Sequence, residues 1–407
     1  MDSEILRGYA ALIAGSGVNV QKGQEVFIDA ALDRPEFIAV LAEECYKLGA
    51  SKVTVDWHSQ AIDKISSNYC ALETLSVVEN YEEARLQHYV DKIPCRIYIE
   101  SDDPDGMNGA DQEKLTKARQ ARYSVIKPYR DKIENRYQWC IAAVPGPAWA
   151  KKVFPGLGSE DAEEKLWEAI LSCSRALSDP VAAWEEHNRV LHEKCAFLNS
   201  LNIRKLHYFG DNGTDLTVGM IPQAVFRGGS ELTLQNVRIN PNIPSEECFI
   251  SPMKGEAEGT VYSTMPLSYR GELIENFSIR FESGRAVEWH AEKNEDLLGQ
   301  IICMDEGSRM LGECALVPVD SPIYKSGVLF YNTLFDENAA CHLALGMGFA
   351  DTIDNYADYT LEQCREMGVN DSMIHEDFMI GYEGLNIDAV CEDGRCVPVF
   401  RNGSWAV

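Results

Sequence analysis

The chain has 407 residues, of which 45% are hydrophobic, and it carries a formal net charge of −27 at pH 7. This length and apolar content predict two globular domains, each with its own core. The acidic balance excludes nucleic acids and anionic membranes as expected partners, because both are bound through lysine and arginine, whereas cationic ligands such as metal ions remain compatible.

The start of the chain, "MDSEILRGYAALIAGSG", contains acidic residues and has its apolar residues at helical spacing, unlike a secretory signal. No run approaches the roughly 20 apolar residues of a membrane span. The 13 cysteines are scattered and odd in number, and the close pair Cys391 and Cys396 in "CEDGRC" is typical of a hairpin and lacks a second pair for zinc. We therefore expect a cytoplasmic protein with reduced thiols.

The first third of the chain alternates between strand and helix patterns. "GQEVFIDA" and "SKVTVDW" are predicted strands on either side of the amphipathic helix "RPEFIAVLAEECYKLGA", and "CRIYIE" and "YQWCIAAV" follow as further strands. Strands separated by helices predict βαβ units with a mostly parallel sheet. Gly15 and Gly17 precede the first strand, whereas a dinucleotide-binding loop follows a strand, so no nucleotide site is expected there.

Two helices are predicted after residue 158, the first with Asp161 as its capping residue. Beyond them, Asn212-Gly213 and Ser283-Gly284 each lie between two strand-like runs, which is typical of β-hairpins. We therefore predict an N-terminal α/β domain over residues 1–200, with a mostly parallel sheet flanked by helices. A C-terminal α+β domain with antiparallel hairpins and helices is predicted over residues 201–407.

Two histidines stand out as candidates for chemistry, since neither an HExxH nor a GxSxG motif is present. His375 and Asp377 lie two residues apart in "MIHEDFMIGY", an apolar run that predicts a buried strand, so their side chains would share one face. His342, in "NTLFDENAACHLALGMGFA", is predicted on the inward face of a helix capped by Asp336 or Asn338. For either histidine, a hydrogen-bonded core residue is the alternative.

Carboxylates directly before apolar strands complete a possible ligand set. Glu313 lies in "LGECALVPVDSP", and Glu246 and Glu247 lie in "NIPSEECFISP". Acids at the start of such strands, together with two inward histidines and Asp377, would suit a dinuclear zinc or cobalt site. Spacing alone does not bring these residues together.

Long ordered motifs give the chain a family resemblance. They are "PSEECFISP", "GTVYSTMPLSYRGELIENF", "LGECALVPVDSPI", "LFYNTLFDENAACHLALG", "HEDFMIG" and "FRNGSWAV". In these motifs the chain resembles the thermophilic, aminopeptidase T-like metalloaminopeptidase family, over nearly its whole length and most densely from Asn242 onward. The resemblance implies a ligand set of two glutamates, two histidines and an aspartate. On this sequence these are Glu247, Glu313, His342, His375 and Asp377.

The resemblance also implies the chemistry. Two divalent ions, zinc or cobalt, would polarise the scissile carbonyl and lower the pKa of the attacking water. Glu313, preferred to Glu247, would be the general base that takes the water's proton and returns it to the leaving amine. The expected substrates are peptides with a free N-terminus. Asp336 and Glu337 are weak candidates for binding the substrate ammonium, because first-turn helix acids have the same appearance. A homodimer with enclosed active sites is implied as well.

One position departs from the family pattern. The family has an active-site tyrosine seven residues after the histidine of "HLALG", and this chain has Phe349 there. If the segment were helical, Phe349 would face the same way as His342, and Tyr356 would lie about 10 Å further on. Losing one oxyanion donor costs on the order of 2.7–4 kcal/mol. One alternative to an active aminopeptidase is therefore a weakened or inactive metal-binding relative with a peptide-binding or structural role. A second alternative is a metal-dependent hydrolase that acts on another amide.

Overall fold

The computed structural model describes residues 2–406, which divide into two compact units. The first unit ends at Glu186 and also takes in Ser230–Pro244, and the second comprises His187–Gly229 and the chain from Ser245 onward. The division therefore falls within a single helix, Pro180–Ser200, at whose end the sequence-based limit lies. No helix among the described residues is both long enough and apolar enough to cross a membrane.

The first unit is built on a four-stranded sheet that is parallel throughout, as predicted, with strand order β2-β1-β3-β4. Its strands are β1 Glu25–Ala31, β2 Lys52–His58, β3 Cys95–Glu100 and β4 Trp139–Ala143. Its helices are α1 Ser3–Leu12, α2 Pro35–Lys47, α3 Gln60–Tyr69, α4 Leu72–Leu75, α5 Asn80–Lys92, α6 Gln112–Ile133, α7 Pro147–Val153 and α8 Ser159–Cys173, followed by α9 Pro180–Ser200, which continues into the second unit.

Two local features of the first unit differ from a simple reading of the sequence. Helix α8 begins at Ser159 after an N-cap glycine that makes no side-chain capping bond, so the prediction of Asp161 as the cap is wrong, and Asp161 lies in the first turn. Gly17 has a packing role, because a Cβ atom there would lie 2.9 Å from Cys140 Sγ on β4. Within Ser230–Pro244, the later segment that belongs to the first unit, the short strands β7 Glu231–Leu232 and β8 Arg238–Ile239 pair with each other.

The second unit contains a nine-stranded antiparallel sheet whose hairpins confirm both turn predictions. Asn212-Gly213 joins β5 to β6, and Ser283-Gly284 joins β12 to β13 with φ of 50° and 76° at the two turn residues. Positive φ at both central residues suits the twist of a two-residue hairpin. The strands are β5 Ile203–Phe209, β6 Asp215–Met220, β10 Pro252–Tyr262, β11 Leu267–Tyr269, β12 Glu272–Glu282, β13 Arg285–Lys293, β17 Asn386–Cys391, β18 Cys396–Arg401 and β19 Ser404–Trp405.

A second, smaller antiparallel sheet in this unit holds the candidate site. Its order is β16-β15-β14-β9, with β9 Cys248–Ile250, β14 Leu311–Leu316, β15 His342–Gly346 and β16 His375–Met379. Every residue of β14 and β15 is buried, so neither face of these strands is exposed to solvent. The short helices of the unit are α10 Glu295–Ile302, α11 Pro322–Ser326, α12 Thr333–Asp336 and α13 Leu361–Met367.

The prediction of a helix around His342 is wrong, because His342 is the first residue of strand β15. Helix α12 ends at Asp336, and a three-ten turn, Glu337–Ala339, leads into the strand. Asp336 does not cap a helix: its carboxylate accepts the backbone N–H groups of Phe330 and Asn332, at 2.8 and 3.0 Å.

Candidate metal centre

Strand pairing brings four of the proposed ligands, Glu313, His342, His375 and Asp377, onto one face of the small sheet. Glu313 on β14 and Asp377 on β16 both lie opposite Ala344 of the central strand β15. Residues directly opposite each other in antiparallel strands point to the same face, and alternate residues of one strand also share a face. His375 therefore joins Asp377, as the sequence predicted. The small side chain of Ala344 leaves room between the two carboxylates.

The proposed ligands lie at contact distance from one another. His375 Nε2 is 2.9 Å from Glu313 Oε2 and 3.3 Å from Asp377 Oδ1, and His342 Nε2 is 3.2 Å from Glu247 Oε2. Their donor atoms form two groups, each with its atoms within 4.8 Å of one another. We call Glu247, Glu313 and His342 the first triad, and Glu313, His375 and Asp377 the second triad. Glu313 belongs to both.

Both imidazole rings have their second nitrogen next to a backbone carbonyl. His375 Nδ1 is 2.7 Å from Met347 O, and His342 Nδ1 is 3.3 Å from Ala340 O. A proton on Nδ1 can be donated to each carbonyl, which leaves the lone pair of Nε2 directed at the carboxylates. Metal-binding histidines almost always donate their other ring N–H in this way, because the bond fixes the ring orientation and the tautomer.

Burial and mutual charge shift the pKa values of these groups. Burial raises the pKa of Glu313 to about 7, although its contact with His375 acts in the opposite direction. Burial lowers the pKa of His342, but its bond to Glu247 and the charges of Asp377 and Glu313 outweigh this effect and raise it to about 9. The cluster therefore holds protons near neutral pH that a bound cation would displace.

The residues present fit a divalent metal ion. The residues Glu247, Glu313 and Asp377 are at most 7% exposed, and His342 is 1% exposed. Among residues 2–406, Asp377 Oδ1 is buried and has no hydrogen-bond donor apart from the approach of His375 Nε2, itself a proposed ligand, at 3.3 Å. Buried carboxylates are costly unless they are paired or coordinate a metal. Imidazole and carboxylate together are ligands that suit zinc and related divalent ions.

The structure also brings Glu337 to the cluster. Its carboxyl is a hydrogen-bond partner of Asp377, and burial, then the charges of Asp377, Glu247 and Glu313, raise the pKa of Glu337 well above its ordinary value. From its position in the sequence, Glu337 is a candidate only for binding the substrate ammonium. The available signal was an acid five residues before His342 in "DENAACH", but first-turn helix acids are common. Glu246 is directed elsewhere, with its carboxylate 3.9 Å from His187 Nε2.

Phe349 lies beside the site, although the expectation that a helix would turn it the same way as His342 is wrong. It follows the end of strand β15 and is not part of a helix with His342, and its N–H donates to Ser251 Oγ at 2.8 Å. Its ring packs against the ring of His375, with centroids 4.7 Å apart, and against Phe249 at 5.8 Å. Position 349 therefore contacts a proposed ligand and carries no hydroxyl. Tyr356 lies in a separate three-ten turn, Tyr356–Asp358.

A buried cluster of carboxylates and imidazoles on rigid strands is typical of a metal-dependent enzyme. The chain belongs to the thermophilic metalloprotease family (M29), whose model matches residues 2–405. This confirms the family resemblance of the motifs. Family membership makes the chain a hydrolase and implies a divalent metal.

Relatives of known name match along the whole chain. Aminopeptidase AmpS of Bacillus subtilis (strain 168) is 39% identical over 406 residues, covering 99% of each chain. Aminopeptidase T of Thermus aquaticus is 39% identical, covering 100% of this chain and 99% of that protein. The solved structure of wild-type AmpT from Thermus thermophilus matches with a TM-score of 0.89 and 38% identity, covering 99% of both chains. This similarity confirms the predicted fold class.

Proposed function

We propose that this enzyme is an aminopeptidase of broad specificity that releases N-terminal residues from peptides with the aid of two divalent ions, zinc or cobalt. The ligands in this proposal are Glu247, Glu313, His342, His375 and Asp377. The names of the relatives, aminopeptidase AmpS and aminopeptidase T, support the reaction. The buried donor set supports the metal dependence.

The observation that carries the proposal is the membership of Glu313 in both triads. Each triad offers three donors of the types found in catalytic zinc sites, and such sites keep a further position open for water or substrate. A carboxylate that belongs to both triads would help to hold an ion at each of them. This sharing supports a pair of ions over a single one.

Divalent ions bound at the triads would polarise the scissile carbonyl and acidify the attacking water. The chain itself supplies the proton carrier: Glu313, central in the cluster, takes the proton from the attacking water and returns it to the leaving amine. Glu337 is a second candidate for this role, because its carboxyl faces the cluster without belonging to either triad. The ring of Phe349, packed against Phe249, gives His375 an apolar neighbour.

The alternative of an inactive relative is less well supported. The phenylalanine at position 349 removes a hydroxyl from the wall of the site, whereas all five proposed ligands are present and buried or partly buried. A hydrolase of another amide would use the same metal centre but would not need a free substrate ammonium group.

The test is hydrolysis of a leucyl peptide and of its N-acetylated form by protein stripped of metal and refilled with Zn²⁺ or Co²⁺. We expect metal-dependent release of leucine from the free peptide alone, and loss of this activity in Glu313→Ala. Cleavage of both peptides at equal rates would show that the enzyme is a general amide hydrolase and not an aminopeptidase. Metal binding without hydrolysis of either peptide would instead support the inactive relative.

We further propose a homodimer as the active species, which the family resemblance implies. Light scattering of the eluted protein would give a mass close to twice the 45.5 kDa of the chain. A monomer that is fully active on peptides would contradict this part of the proposal.

A further inference from the structure

Two of the acids around the candidate metal centre lie outside the strands of the small sheet. The ladder of β14, β15 and β16 fixes Glu313, His342, His375 and Asp377 relative to one another. Glu247 instead precedes strand β9, which begins at Cys248, and Glu337 opens the three-ten turn after α12. The sheet reaches Glu247 only through its neighbour Cys248, which pairs with Leu316, and it does not reach Glu337, so contacts outside the sheet contribute to the position of both acids.

The side chain of Asn338 makes these contacts. It is fully buried, at 0% exposure. Its Oδ1 accepts the backbone N–H of Glu246 at 2.7 Å. Its Nδ2 donates to Leu334 O at 2.9 Å and to Glu337 Oε1 at 3.3 Å. Both amide hydrogens are therefore used, one on the backbone of α12 and one on a carboxylate of the cluster.

We infer that Asn338 is a positioning residue of the metal centre, whose amide joins the segment carrying Glu247 to the turn carrying Glu337. The inference rests on the proposed metal-dependent function. Hydrogen bonds to groups around a metal orient them, and removing such a partner typically costs roughly 10–100-fold in metal affinity or activity. An amide suits the position because it accepts from a backbone N–H and donates to a carboxylate at the same time.

A purely structural role makes a different prediction. The bond from Asn338 Nδ2 to Leu334 O alone would satisfy a backbone carbonyl of α12 that has no partner within the helix, which is a purely structural contribution. In that case, substituting Asn338 would lower the unfolding temperature but leave the metal affinity of the folded protein unchanged. A positioning role changes the metal affinity itself.

The experiment is calorimetric titration of metal-free protein with Zn²⁺, together with the absorption spectrum of the Co²⁺-loaded form, in Asn338→Asp and Asn338→Ser. Asn338→Asp keeps the size and the acceptor but loses both donors and places a charge beside Glu337. The serine in Asn338→Ser is smaller and uncharged. This variant should therefore fold even if the buried charge in Asn338→Asp prevents folding. Asn240→Asp is the matched control, since Asn240 is also buried and donates to a backbone carbonyl, that of Ser16, within the first unit.

We expect Zn²⁺ to bind roughly 10–100-fold more weakly to Asn338→Asp than to the wild type, with a smaller loss in Asn338→Ser. The absorption spectrum of the Co²⁺-loaded form should change in both variants. Neither the affinity nor the spectrum should change in Asn240→Asp. In a Glu337→Gln background, Asn338→Asp should have a smaller effect, because the repulsion between the two carboxylates is gone. Unchanged affinity and spectrum in the folded Asn338 variants, or an equal loss in both backgrounds, would overturn the inference. Failure of the wild type to bind Zn²⁺ would instead overturn the proposed metal centre.

Discussion

The ring of Phe349 packs against the imidazole of His375, with 4.7 Å between their centroids. A hydroxyl added to this ring would bring a hydrogen-bond donor to the edge of the site without disturbing a ligand. We therefore expect Phe349→Tyr to raise kcat, by up to the roughly 10²–10³-fold that one oxyanion donor is worth. Metal affinity should not change. Phe349→Leu is the control, since it removes the ring contact and adds no donor. An unchanged kcat in Phe349→Tyr would show that the hydroxyl has no role here.

Glu313 and Glu376 provide a pair of acids for testing the two faces of the sheet. Glu313 belongs to both triads, whereas Glu376 lies between His375 and Asp377 and points to the opposite face of β16. We expect Glu313→Gln to reduce the bound metal at both triads and to lower kcat by roughly 10²–10⁴-fold, as for loss of a general base. Glu376→Gln should retain its metal and its activity. Elemental analysis and peptide hydrolysis measure both effects, and full metal content in Glu313→Gln would contradict the shared-ligand assignment.

Metal binding should release protons and should strengthen as the pH rises. The pKa of His342 is raised to about 9 and that of Glu313 to about 7, so at pH 6 to 7 the metal-free protein holds protons that the bound form loses. Metal therefore competes with protons, and its affinity should increase between about pH 6 and pH 9. Calorimetry in buffers of different ionisation enthalpy counts the protons released. Affinity independent of pH over this range would mean that these groups already lack protons in the metal-free protein.

The first unit should show a pH dependence of its own. His58 Nδ1 lies 3.1 Å from Asp29 Oδ1 and Nε2 lies 3.3 Å from Asp102 Oδ1, and these contacts, with Asp102 first, raise the pKa of His58 to about 10. The unfolded histidine titrates near pH 6.5, so the folded state binds more protons between these values. The stabilisation by His58 is complete below about pH 6.5 and is lost as the pH rises through about 10.

Urea unfolding of the metal-free protein at pH 6, 8 and 10 measures this effect. We expect the free energy of unfolding to fall less steeply with pH in His58→Gln than in the wild type. His290→Gln, at an exposed histidine of the second unit, should keep the wild-type slope. Equal slopes in the wild type and His58→Gln would show that His58 gains no proton affinity on folding.

Local sequence patterns predicted much of the fold. The parallel sheet of the first unit followed from strands separated by helices, and both tested hairpins followed from their turn residues. The pairing of His375 with Asp377 on one face followed from the two-residue period of a strand. These features depend on neighbouring residues, and so a single sequence contains them.

The environment of His342 could not be predicted in the same way. Strand β15 is five residues long and buried on both faces, so its residues form a continuous apolar run with no alternation. Such a run does not distinguish a short buried strand from a buried helix. The approach of Glu337 to Asp377 was also hidden, because it depends on the packing of a three-ten turn against a strand distant in sequence. The contacts of Asn338 likewise exist only in the folded chain.

The pleat of β16 makes the second triad depend on strand register. Along this strand His375 and Asp377 face the candidate site, while Glu376 lies between them on the other face. A shift of one residue in the pairing of β16 with β15 would turn both ligands away together and present Glu376 and Phe378 in their place. Substitutions remove one donor at a time, whereas a single-residue insertion or deletion in this strand would remove two at once. Length variation between relatives should therefore be confined to the loops on either side of β16.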